Sequence, residues 1–449
     1  MNKLISAAIL SAGITIAGTA NAQHKCALDE VMAQAAAGNP AITEAILQAK
    51  QKNIEASQAY IQQQAEGVQM KTTADLRIPV VFHVILTQDQ IDAIKGTDGI
   101  SRRVGTQLDA LNRDYNTRNP DLVNVPPVFQ SVIGKMNISF ALAHTAPDGS
   151  ATSGIEVKVA GSTQESFPVF PAAKERSTAN GGLEPWDTYK YLNVWVVNLQ
   201  GGGGGGEILG VAYSPLYAGA LGIPNGVTLN YRAFGQKIGT NYGSFITGID
   251  SGRTMVHELG HFFGLDHIWG GSTVSCSDDD GIDDTPLQET ENYDCPSFPK
   301  ANCTNSNGGE MFMNYMDYVK DKCMMMFTKQ QVARMAQEFE PSVTPNSYEL
   351  GRHPELTEWP TSVADINEIT EIMVTPNPSS GRFSVTLGNN SNQLKDFTVL
   401  NTVGAVVKTI PAAGNTYAYN INLDGMPKGM YILQCRFEER IVTRKIILQ

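Results

Sequence analysis

The chain has 449 residues, 42% of them hydrophobic and 17% charged, with a formal net charge of −12. At roughly 100–200 residues per domain, that length holds about two to four folding units. The apolar share is enough for packed cores, which excludes wholesale disorder, collagen and a coiled coil. An acidic chain with no Lys/Arg block lacks the basic face that nucleic-acid binding needs, so nucleic acid is excluded as a partner.

The N-terminus sets the compartment. Lys3 precedes an apolar run from Leu4 to Ala20, closed by the small-residue site Ala20-Asn21-Ala22. The pattern reads as a signal peptide, residues 1–22, too short and too poorly flanked for an anchoring helix. No later stretch is long and apolar enough to span a bilayer, so the mature chain is expected to be exported without a transmembrane segment. Six cysteines follow, and four of them, Cys276, Cys295, Cys303 and Cys323, are close in sequence. Disulfides are expected there in an exported chain, with three pairings open on spacing alone. Cys26 and Cys435 stand apart at opposite ends.

Residues 23–73 are rich in Ala and Gln, with Ile42, Ile46, Ile54 and Ile61 at roughly helical spacing, and read as a small helical pro-segment. The texture changes at Arg77. Ile78–Ile85 is a buried-strand pattern, Ser101–Tyr115 an amphipathic helix, and Met136–His144 and Leu192–Leu199 are further strands. Gly201–Gly206 reads as a loop. Thr247–Phe263 and Thr328–Glu338 are predicted helices, with an Asp/Asn/Ser-rich, cysteine-bearing loop over Cys276–Gly309 between them. Residues 341–370 carry Pro341, Pro345, Pro354 and Pro360 and read as a linker. In residues 371–449, short alternating strands separated by Gly, Asn and Pro turns predict an all-β sandwich.

The strongest chemical signal is His257-Glu258-Leu259-Gly260-His261-Phe262-Phe263-Gly264-Leu265-Asp266-His267. His257 and His261 lie four apart, on one face of a helix. Gly264 can turn the chain sharply, because glycine tolerates positive φ, and so return His267 as a third ligand. Three protein ligands leave a tetrahedral Zn²⁺ one position for water, the catalytic arrangement, and Glu258 stands between the ligands as a general base. Three of the seven histidines fall within these eleven residues. A core helix that merely happens to carry histidines does not explain that concentration. Further on, Asp278-Asp279-Asp280-Gly281-Ile282-Asp283-Asp284 sets five carboxylates in seven residues, a repulsion that a hard cation such as Ca²⁺ would relieve.

The long zinc motif, with Asn314-Tyr315-Met316-Asp317-Tyr318 and Met326-Phe327-Thr328 downstream, resembles the metzincins and, within them, the microbial members of the pappalysin family. The resemblance runs from about Arg77 to Met335. It implies an α+β fold: a metzincin-type catalytic domain with a twisted mixed sheet, an active-site helix and a loop-rich, disulfide-stapled lower subdomain. It implies a zinc endopeptidase acting on extended peptides and proteins through zinc-held water, with Glu258 as base. Tyr318 would stabilise the tetrahedral transition state and Met316 would be the supporting Met-turn residue. It implies disulfides Cys276–Cys303 and Cys295–Cys323, each worth about 3 kcal/mol on chain-entropy grounds. It also implies calcium at Asp280, Asp283 and the Thr285 carbonyl. Latency would come from a pro-segment thiol on the zinc: Cys26 is the candidate, with Asp29 a possible carboxylate substitute. The family's acidic determinant of a basic preference lies near the last cysteine, where this chain has Asp321 followed by Lys322.

The tail is similar to the C-terminal sorting domain of type IX secretion, through Thr375-Pro376-Asn377-Pro378-Ser379-Ser380-Gly381, Gly429-Met430-Tyr431 and Lys445-Ile446-Ile447. That machinery is therefore an expected partner. The expected organisation is a signal peptide over 1–22, a propeptide over 23–76, a catalytic domain over 77–340, a linker over 341–370 and a sorting domain over 371–449. The competing reading is a secreted adhesin or binding protein whose metalloprotease-like domain is inactive.

Overall fold

The structure, a computed structural model, describes residues 25–65, 76–161, 166–201, 207–239, 243–271, 275–301, 303–304, 308–340, 348–358, 372–387, 394–401, 405–412, 418–437 and 441–449. The leader, Gly202–Gly206 and most of the linker lie outside these residues. No helix among those described is long and apolar enough to cross a membrane.

The larger unit is built on one sheet. Its strands are β1 (Lys25–Cys26), β2 (Arg77–Leu86), β3 (Ser139–Leu142), β4 (Ile155–Val159), β6 (Leu192–Val197), β8 (Ile208–Tyr213) and β9 (Gly226–Asn230); β5 (Phe167–Pro168) and β7 (Leu199–Gln200) pair separately. The order is β1-β8-β9-β6-β2-β3, with β4 sharing the outer edge of β2 end to end with β3. β2, β6 and β9 run parallel and are buried along nearly their whole lengths, as a sheet covered on both faces requires. β8 reverses direction against β9 and forms the edge of the sheet built from residues 77–230, a placement the sequence did not reveal. On that edge lies β1, parallel to β8, pairing Cys26 with Gly210.

The helices are α1 (Leu28–Ala36), α2 (Pro40–Ala65), α3 (Gln88–Ala93), α4 (Gly96–Asp114), α5 (Pro127–Gln130), α6 (Pro215–Leu221), α7 (Arg253–Phe262) and α8 (Lys329–Gln337). Met255, Val256, Leu259 and Phe262 of α7 join β2, β6 and β9 in the main core. The helix begins later than the predicted Thr247. Gly248 and Gly252 sit at φ +82° and +76°, and a helix cannot start through left-handed residues. α8 is closed by a capping box between Thr328 and Gln331.

The pro-segment is helical, as its Ile spacing predicts, but the isoleucines are only half-buried. The buried stripe of α2 is Ala49, Asn53, Ser57 and Tyr60, a more polar face. Residues 348–358, part of the stretch read from its prolines as linker, pack instead on the unit built on the main sheet. Leu350 enters the main core, and Gly351 and Leu356 accept backbone hydrogen bonds from Arg77 and His144.

Below the sheet, loops are stapled by Cys276–Cys303 and Cys295–Cys323, the pairing the family resemblance implied. The tail is two antiparallel sheets, one ordered β10 (Ile372–Thr375), β11 (Arg382–Leu387), β14 (Ala418–Asn422) and the other β13 (Val406–Pro411), β12 (Leu394–Leu400), β15 (Gly429–Phe437), β16 (Ile441–Leu448). They share a core around Phe383, Val385, Phe397, Val399, Leu433 and Ile446. This is the expected sandwich.

Candidate metal centre

Helix α7 carries His257, Glu258 and His261, all buried. Gly264, at φ +85°, ends it, and the turn brings buried His267 back toward the other two. The Nε2 atom of His261 stands 3.1 Å from that of His257 and 3.0 Å from that of His267. Each ring's other nitrogen is engaged: His257 Nδ1 with the Tyr315 carbonyl at 2.7 Å, His261 Nδ1 with the Leu265 carbonyl at 2.8 Å, and His267 Nδ1 with Asp29 Oδ2 at 2.9 Å. Because those partners accept, Nδ1 carries the proton in each ring and the three Nε2 lone pairs face one another. Burial and the neighbouring imidazoles hold His257 well below the usual histidine range and His261 down to about 3. Three ring nitrogens converging in this way suit a cation. Two ring nitrogens about 2.0–2.1 Å from a tetrahedral zinc would sit roughly 3.3 Å apart, close to the spacing here.

Cys26 completes the group: its Sγ and the three imidazoles lie within 4.8 Å of one another. Asp29 does not join them; it bonds the outer nitrogen of His267. Cys26 Sγ also donates to Glu258 Oε2 at 3.5 Å. Burial, then the Glu258 charge, pushes the thiol up, while burial pushes Glu258 up to about 8. Gly210 lies against the glutamate: a Cβ there would meet Glu258 Cγ and Oε1 at 2.8 Å each.

Met316 is fully buried beneath α7, so close that a Cβ on Gly260 would lie 2.4 Å from its sulfur. It packs against the helix between the two histidines. Asn314 Oδ1 accepts from the Met316 N–H and so fixes this turn. Tyr318 follows, its ring 5.8 Å from that of His257 and 4.9 Å from that of His267, and its hydroxyl donates to the Cys26 carbonyl at 3.2 Å. Trp269 stacks on His267 with centroids 4.4 Å apart. The sequence reading passed over it, although it stands two residues from the third histidine.

The acidic loop is less converged. Asp280 is buried; its Oδ1 accepts from the Ile282 N–H and Thr285 Oγ1, while its Oδ2 has no partner. Arg334 donates to the carbonyls of Asp280 and Gly281. Asp283 is exposed, and among the described residues no three acidic or histidine side chains of this loop come within 4.8 Å of one another. Asp321 is buried, bonded to the backbone of Ser251 and Arg253, and so offers no free carboxylate to a substrate.

Residues 182–340 match the peptidase family of pregnancy-associated plasma protein-A, and residues 373–449 match the secretion-system C-terminal sorting domain. An extracellular metalloprotease of Arthroderma benhamiae is 31% identical over 242 residues, covering 54% of this chain and 78% of the relative. One from Arthroderma otae is 31% identical over 186 residues, covering 41% and 64%. Mature mirolysin of Tannerella forsythia, solved with a cleaved peptide, aligns at 37% identity and TM-score 0.56 over 64% of this chain and 99% of that one. A promirolysin variant of the same organism aligns at 34% identity and TM-score 0.62, over 74% and 99%. The chain belongs to the pappalysin family of metallopeptidases. It is a secreted zinc metalloendopeptidase made as a proenzyme, and its tail is a type IX sorting domain. In this pappalysin, the inactive-adhesin reading is not favoured: every residue of the zinc motif is in place and the three imidazoles converge.

Proposed function

We propose that this enzyme hydrolyses peptide bonds of extended protein segments laid along β8, and that the structure is its latent form. Zinc, held by His257, His261 and His267, would supply Lewis acidity, polarising a scissile carbonyl and lowering the pKa of water toward about 7. Glu258 takes the proton of the attacking water and passes it to the leaving amine. Its Oε2 faces the donor cluster, where the Cys26 thiol now meets it. The Tyr318 hydroxyl donates to the oxygen on which negative charge develops. Burial holds that phenol well above the usual tyrosine range, so it stays a proton donor at neutral pH. Met316 supports the helix from below.

The observation carrying this reading is the placement of Cys26. The pro-segment enters as β1 on the open edge of β8, where a peptide would add a strand. There it directs Sγ among the three imidazoles. A thiolate is a strong zinc ligand, so Cys26 would fill the position needed by water. Cleavage near Thr73–Arg77 would release it. The proposed boundaries are 1–22 leader, 23–76 propeptide, 77–340 catalytic domain and 371–449 sorting domain, with the intervening linker partly docked. Calcium is proposed at Asp280, Asp283 and the Thr285 carbonyl; the unpartnered Asp280 Oδ2 supports it.

Digestion of casein by the activated enzyme, with and without a zinc chelator, tests the reaction. Chelation should abolish it, and Glu258→Ala should lower turnover by roughly 10²–10⁴-fold with zinc still bound. Proteolysis at the wild-type rate in that variant would overturn the assignment.

A further inference from the structure

The pro-segment does more than cover the metal centre. Two of the three histidines take their outer hydrogen bond from the catalytic unit itself, at the carbonyls of Tyr315 and Leu265. The third does not: the acceptor for His267 Nδ1 is Asp29 Oδ2, 2.9 Å away on α1. The turn that returns His267 is held by the same segment at two more points. Asn53 Nδ2 donates to the Gly264 carbonyl at 2.6 Å while its Oδ1 accepts from Gln337. Lys50 Nζ lies 3.5 Å from Asp266 Oδ2. Three pro-segment side chains thus grip residues 264–267, the stretch carrying the least anchored ligand.

We infer that the pro-segment helps to build the metal site it blocks: Asp29 is a positioning residue that fixes the tautomer and orientation of His267, so the proenzyme binds zinc more tightly than the same chain without that carboxylate. The physical ground is general. A carboxylate on the far nitrogen of a ligating imidazole fixes which nitrogen is bare and raises its basicity, and losing such a partner typically costs 10–100-fold in metal affinity. Asp29 and Cys26 act differently. The thiol would occupy the metal's fourth position, whereas the carboxylate acts only through a ring that is already a ligand. The pro-segment would then assist metal loading before it is cut away, and the mature enzyme would hold its metal with one outer partner fewer. The inference rests on the zinc reading and, separately, on the pro-segment's docked position.

The test uses the full-length proenzyme carrying Glu258→Ala to prevent self-cleavage. Its zinc dissociation constant is read by competition with a chromophoric chelator, alone and with Asp29→Ala or Asp29→Asn added. Asp29→Ala should raise the constant about 10–100-fold. Asp29→Asn, whose amide oxygen can still accept from Nδ1–H, should recover part of that loss. The same ratio should persist when Cys26→Ala is added to every member of the series. A constant within about twofold of the parent in Asp29→Ala would overturn the inference. So would a fall in the melting temperature of the metal-free variant as large as that of the zinc-loaded one, which would mark a general packing defect. Cobalt substitution keeps the two ideas apart. A sulfur-to-cobalt charge-transfer band in the parent reports Cys26 on the metal, and its absence would sink the thiol latency while the Asp29 contrast is still read from zinc affinity. A parent that binds no zinc would sink the metal reading itself.

Discussion

The hydroxyl of Tyr318 donates to the backbone carbonyl of Cys26 across a separation of 292 residues. In the latent form the pro-segment therefore engages two groups of the proposed machinery at once, Glu258 through the thiol and Tyr318 through the carbonyl next to it. Removing the segment would return both side chains to the cleft. Tyr318→Phe keeps the ring contacts with His257, His267 and Trp269 and removes only the donor. In the activated enzyme, kcat should fall by about 10²–10³-fold with KM nearly unchanged, as for loss of one oxyanion donor. Steady-state kinetics on a fluorogenic peptide checks this, and an unchanged kcat would remove Tyr318 from the chemistry.

Latency gives the second expectation. Cys26→Ala leaves β1 and α1 able to dock but takes the thiol out of the donor cluster. Purified proenzyme should then process itself with a shorter lag and hydrolyse peptide before cleavage is complete. Time-resolved gels run beside the peptide assay decide it. An identical lag in both proteins would assign latency to the cover provided by α1 and α2 alone.

Gly210 is a third point of control. It pairs with Cys26 in the strand ladder and lies under the Glu258 side chain. Gly210→Ala would put a methyl group 2.8 Å from Glu258 Cγ and Oε1, a distance that forces the carboxylate to move. Displacing a catalytic group by about 1 Å can cost on the order of 10²-fold. Activity should drop at least tenfold while zinc content and the far-ultraviolet circular dichroism spectrum stay at wild-type values; full activity would show that the base tolerates the shift.

The acidic loop supplies the fourth. If a cation neutralises Asp280, whose Oδ2 is buried without a partner, a calcium-selective chelator should lower the melting temperature by several degrees and leave zinc in place. Asp280→Asn should abolish that calcium response. Melting curves that do not depend on calcium in the wild-type chain would dismiss the site.

The zinc motif was legible because its chemistry is local: four-residue spacing puts two imidazoles on one helix face, and a glycine is the economical way to turn back toward a third. The buried strands β2 and β6 were legible from continuous apolar runs. Other features left no such signature. The start of α7 was overextended because apolar spacing does not register that Gly248 and Gly252 adopt positive φ. The acceptors that orient His257 and His261 are backbone carbonyls, which any residue could provide. The face of α2 that docks carries Asn53 and Ser57 beside half-buried Ile46 and Ile61, so hydrophobic periodicity found only part of it. β1 has only two residues and exists through its partner β8, and Asp29 reads as an ordinary acidic residue of a first helical turn. Residues 348–358 looked like linker because Pro354 was visible and the Arg77 N–H that donates to the Gly351 carbonyl was not.

The two disulfides interlock in sequence: Cys295 lies inside the loop closed by Cys276–Cys303, and Cys323 lies outside it. The loop closed by the second bond also contains Met316 and Tyr318. Thiols stay reduced in the cytoplasm and oxidise beyond it. A chain still in the cytoplasm would therefore have the floor of its cleft untied, in addition to its pro-segment. Oxidation on the way out would close both bonds while that segment is still docked. Export thus becomes a maturation step in its own right, one that finishes the floor of the cleft only after the enzyme has left the compartment whose proteins it could harm.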